Sequence, residues 1–146
     1  ASFFLRLYLE KIYGIVGLAI VGFVNDGTDD VFASHAWYEF RGKMTDLAIS
    51  RPLNPHLQRP GPVTIHGLEI RPGWTWTYHR EEPPEGRAAL EALLARPEMA
   101  PRVQEELARR QRMAMIATDL DMIRDYLDRA DNGLTYDVMA ARLAGC

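Results

Sequence analysis

Apolar positions dominate the opening segment, Ser2 to Tyr13 (SFFLRLYLEKIY), where Phe3, Phe4, Leu5, Leu7, Tyr8, Leu9, Ile12 and Tyr13 cover most of a helical circumference. A helix apolar nearly all round is a buried one. Gly14 suits its end, because glycine readily takes the left-handed conformation that closes many helices. Leu18 to Val24 (LAIVGFV) is an apolar run of strand length, and the turn-rich Asn25-Asp26-Gly27-Thr28-Asp29-Asp30 follows it. Ala33 to Ser50 then shows two short alternating runs separated by Arg41-Gly42, the pattern of a β-hairpin with a tight turn.

The hairpin register decides which side chains meet. If the loop holds only Arg41 and Gly42, Phe40 pairs with Lys43, Trp37 lies opposite Asp46 and His35 opposite Ala48. His35 and Asp46 are then diagonal neighbours on one face, within reach of each other. A three-residue loop changes the parity and sends Asp46 to the other face.

Beyond the hairpin, Arg51 to Pro62 holds Pro52, Pro55, Pro60 and Pro62 and reads as an extended loop. Val63 to Ile70 and Thr75 to His79 alternate as two strands joined through Pro72-Gly73. After Glu82-Pro83-Pro84 the composition turns helical. Gly86 to Arg96 is followed by one long segment, Pro101 to Asp131, with an apolar stripe of Val103, Leu107, Met113, Ile116, Leu120, Ile123 and Leu127. Asn132-Gly133 stops that segment, and Thr135 with Asp137 opens a last short helix to Leu143. The order predicts an α+β fold: a buried N-terminal helix on an antiparallel sheet of about five strands, with C-terminal helices alongside. Its 146 residues suit a single domain, with residues 1–80 as helix-and-sheet core and 84–144 as a helical region packed on it.

Composition adds mainly exclusions. A formal net charge of −3 without a single-sign patch argues against a nucleic-acid partner. The most apolar run, Ile12 to Val24, is shorter than the ~20 residues a bilayer-spanning helix needs, so no membrane partner is expected. Cys146 is the one cysteine, which rules out an internal disulfide and makes a reducing cytoplasm the expected compartment.

A buried helix ending in Gly14-Ile15, the strand LAIVGFV, then His35-Ala36-Trp37-Tyr38-Glu39, Gly42 and Asp46 resemble the transglutaminase-like branch of the papain-like fold. The resemblance covers about the first 50 residues. It implies thioester acyl transfer by a Cys-His-Asp triad: a cysteine at the start of the buried helix, His35 as proton shuttle and Asp46 as its orienter. The helix N-terminus and a neighbouring imidazolium would favour the thiolate. It further implies a peptide, protein or small amide substrate, no cofactor, and either water or an amine as acceptor.

The helix here starts at Ala1-Ser2, with no cysteine. Three explanations stand open: Ala1 replaces the nucleophile, the nucleophile lies just before Ala1, or the domain has lost its chemistry. The first two are favoured together, although the chain as it stands should be inactive. The alternative function is a non-catalytic binding module that keeps the fold.

Ser2 at a helix start is far more often a cap than a nucleophile; with Trp37 it is placed at the substrate cleft. Taken without the family resemblance, His35 would be a strand histidine satisfied by a carbonyl, and Asp46 a strand-end carboxylate. Trp74, Trp76 and Tyr78 form an aromatic row that reads as core before cleft. The histidines His56, His66 and His79 lack ligand spacing, and the carboxylates from Asp119 to Asp131 lack the glycine of a calcium loop, so no metal site is expected. Glu105, Glu106, Arg109, Arg110 and Arg112 read as a solvated helix face.

Overall fold

The computed structural model describes residues 1–51, 59–73 and 75–145. In chain order its elements are α1 (Ser2–Tyr13), β1 (Leu18–Asn25), β2 (Ala33–Phe40), β3 (Lys43–Thr45), β4 (Val63–Ile65), β5 (Leu68–Arg71), β6 (Thr77–His79), α2 (Pro84–Leu94), α3 (Ala100–Ile116), α4 (Leu120–Asp128) and α5 (Tyr136–Ala144). The fold is mixed α+β, as the order of patterns predicts.

α1 ends where expected, with Gly14 in the left-handed conformation (φ 65°) and its N–H on the Glu10 carbonyl. Its burial is one-sided along its length. Ser2, Phe3, Phe4 and Leu7 are buried, whereas Ile12 and Tyr13 are 56% and 62% exposed. An all-round apolar pattern shows what a helix could bury; it does not say how much neighbouring surface is there to cover it.

The main sheet has four antiparallel strands in the order β3-β2-β1-β6. β4 and β5 form a separate two-stranded hairpin, joined to the main sheet by the Asp46–Thr64 bridge and by hydrogen bonds from Gly67 to Met44 and from His66 to Thr45. This corrects the expected single sheet of about five strands, and the expected strand from Val63 to Ile70 is itself a hairpin. His66 and Gly67 both have positive φ (49° and 80°), which folds the run back on itself. The last strand begins at Thr77, so Trp76 precedes it; Trp74 and His56 lie outside the described residues.

The long helical segment is two helices. Asp119 caps α4 by accepting from the amides of Asp121 and Met122, and so ends the stripe that sequence periodicity runs straight through. α4 and α5 close over α1: Phe3, Phe4 and Leu7 share one core with Ala19, Ala117, Ile123, Leu127 and Tyr136. Among the described residues, no helix is long and apolar enough to cross a membrane.

Candidate functional site

The β2–β3 turn sets the geometry. Arg41 and Gly42 have φ of 49° and 71°, the pair of positive values that a two-residue type I′ turn requires. Phe40 therefore pairs with Lys43, Glu39 with Met44 and Tyr38 with Thr45. Asp46 follows directly and falls on the face of His35 and Trp37 by alternation.

His35 Nε2 lies 2.7 Å from Asp46 Oδ2. The same carboxylate oxygen accepts from the Tyr78 hydroxyl at 2.9 Å, and Oδ1 accepts from the amides of Ala48 (3.0 Å) and Ile49 (3.5 Å). Four donors thus hold a carboxylate that is 1% exposed, a closely satisfied arrangement for a buried charge. Burial first, and then the Asp46 charge, push the Tyr78 hydroxyl well above the ordinary tyrosine range, so it stays a donor.

With Nε2 on Asp46, the outer nitrogen Nδ1 of His35 makes no hydrogen bond among the described residues. It is the atom left to exchange a proton. Trp37 is 2% exposed, packs edge-on against Tyr78 at 5.4 Å and donates from Nε1 to Glu39. The buried indole backs the dyad instead of lining an open cleft.

Ala1 is the N-cap of α1. The residue keeps solvent contact, yet its amino nitrogen is packed closely enough that burial lowers its pKa, partly offset by the Asp46 carboxylate. The start of α1 is placed by Ser2, whose hydroxyl reaches the carbonyl of Ala36, the neighbour of His35. Ser2 is neither cap nor free hydroxyl. It is the first helical residue, 5% exposed, and donates from Oγ to the Ala36 carbonyl at 2.6 Å. β3 has ended at that level, so the hydroxyl fastens α1 to the open edge of β2. A groove of about 740 Å³ opens from Ala1 along α4, with Met122, Tyr126, Leu127 and Met139 among its walls.

Tyr78 and the two amides are the members that sequence reasoning misses. Tyr78 stands 32 residues from Asp46, on a strand paired with β1, and reaches it only because the sheet curls. No group of three His, Cys, Asp or Glu converges on a metal position among the described residues. The site is thus a histidine held by a buried carboxylate on β2, one residue from the carbonyl to which the start of α1 is bonded, in an α+β chain. No family model, no curated protein and no solved structure matches the chain.

Proposed function

We propose that this is a papain-like, transglutaminase-like domain built for thiol acyl transfer, with the nucleophile position at Ala1 or immediately before it. The observation that supports the reading is the setting of His35: Nε2 is fixed on a buried carboxylate, Nδ1 makes no hydrogen bond among the described residues, and the next residue, Ala36, accepts from Ser2 at the start of α1. A thiol there would give its proton to Nδ1, while its sulfur bonds to the carbonyl carbon of an amide. The imidazolium then protonates the leaving nitrogen as the C–N bond breaks, and water or an amine cleaves the thioester. Asp46 holds the tautomer throughout. The groove from Ala1 is the natural place for the acyl substrate, a peptide, protein or small amide.

Alanine at position 1 favours a second reading, a binding module that keeps the cleft without the reaction. One substitution separates the two. In Ala1→Cys, the thiol at position 1 is expected to react with iodoacetamide at neutral pH about tenfold faster than Cys146, and His35→Ala should remove that advantage. Equal rates at both thiols, indifferent to His35, would sink the catalytic reading and leave the binding one.

A further inference from the structure

The hydrogen-bond direction of every strand in the main sheet follows from its outer edge. Asp46 exchanges both backbone bonds with Thr64, and Met44 accepts from Gly67, so Met44 and Asp46 point away from β2. Lys43 and Thr45 therefore point toward it, onto Phe40 and Tyr38. Alternation through the β1–β2 register, where Ala19 faces Tyr38 and Val21 faces Ala36, turns the backbone groups of Ala19, Val21 and Phe23 away from β2. Phe23 finds His79 in β6. β6 stops there, so the N–H and C=O of Ala19 and Val21 have no ladder partner among the described residues.

A cleft of about 420 Å³ runs along this open edge, between β1 and the end of α3, and its charged lining residues are Arg6 and Arg80. Arg6 donates from Nη1 to the Ala117 carbonyl, while its Nε is buried without a partner. Arg80 pairs with Glu39, yet its side chain is 58% exposed. Arg110, one turn before the cleft residue Ala114, stacks on the Phe23 ring at 4.2 Å, and its Nε is also buried without a partner. Arg6 and Arg80 thus line the cleft from opposite faces of the sheet, with Arg110 stacked on Phe23 beyond it and the carboxylates of Glu39 and Glu10 nearby.

We propose that this cleft binds an extended acidic peptide segment as an added strand on β1. The segment's backbone would bond to Ala19 and Val21, and its carboxylates, all on the Glu39 face of the sheet, would meet Arg80. Strand addition uses the groups found here, since an open edge supplies affinity and pockets beside it select alternate side chains. Arginine forks suit carboxylates in particular. The cleft lies at the opposite edge of the sheet from His35 and stands independently of the acyl-transfer reading.

The probe is a capped, fluorescein-labelled five-residue peptide alternating valine and glutamate. Anisotropy and amide NMR would follow its binding to the unaltered chain. We expect saturable binding that weakens with salt, shifts the amides of Ala19 and Val21, and falls about tenfold in Arg80→Gln. Val21→Pro, which deletes the edge-facing N–H and also a valine packed on the core, should abolish it. A peptide N-methylated at its ladder-facing amides should not bind, and this control holds even if a protein variant loses its fold. No binding near 1 mM, equal binding of a valine–lysine peptide, or equal binding of the N-methylated peptide would overturn the proposal. So would protection of the same amides that rises with protein concentration alone, which would assign the edge to a second copy.

Discussion

At the scale of residues, the dyad was open to reading because all its determinants lie within one hairpin. Arg41-Gly42 sets the loop length, loop length sets parity, and parity puts His35 and Asp46 together. Tyr78 was hidden for the opposite reason: nothing near it in sequence records the curl that brings it to Asp46. Arg110 was misread as solvated because helical periodicity cannot show that Phe23 lies beneath it. Tyr78 also gives a pH signature. Its folded pKa is raised above the unfolded value, so the folded chain keeps a proton that the unfolded chain releases above pH ~10. The stability it contributes is complete below that pH and is lost as pH rises toward the folded pKa. Tyr78→Phe should therefore flatten the fall of the urea midpoint between about pH 9 and 11. An unchanged slope would show that other tyrosines carry it.

At the scale of elements, α1, β1 and β2 could be placed from apolar pattern and turn chemistry. The later elements depend on local devices that override a pattern. His66 and Gly67 fold one apparent strand into two, and Asp119 divides one apparent helix. Gly22 is such a device in the sheet. A Cβ there would sit 2.4 Å from the His79 carbonyl oxygen and 2.6 Å from the Trp37 ring. The oxygen belongs to the β6 backbone and cannot swing aside as a side chain could. Gly22→Ala should cost about 2 kcal/mol in urea unfolding. It should also push β6, and Tyr78 with it, off Asp46. The double variant Gly22→Ala/Tyr78→Phe is then expected to lose less than the sum of the two single losses.

At the scale of the whole molecule, α4, α5 and the end of α3 complete the core that α1 begins. Ile123 and Leu7 are both 0% exposed in a core that α1 shares with α4 and α5. Ile123→Ala should cost about 3 kcal/mol. All three tryptophans lie before residue 84, on the sheet side of the chain. Tryptophan fluorescence and helical circular dichroism should therefore lose stability together, at one midpoint. A fall in the helical signal alone would mean that the two halves unfold separately. That the halves share a core was only partly legible, because a pattern identifies an apolar stripe without naming the surface that covers it.

Asp46 occupies two places in this arrangement. Its side chain orients His35, and its backbone exchanges both bonds with Thr64, the strongest of the links, beside those of Met44 and Thr45, that hold the β4–β5 hairpin to the main sheet. Mechanically it is a rivet set through the trigger. A load that pries the hairpin away pulls on the residue that aims the histidine, so a partner grasping that hairpin would have its hand on the dyad.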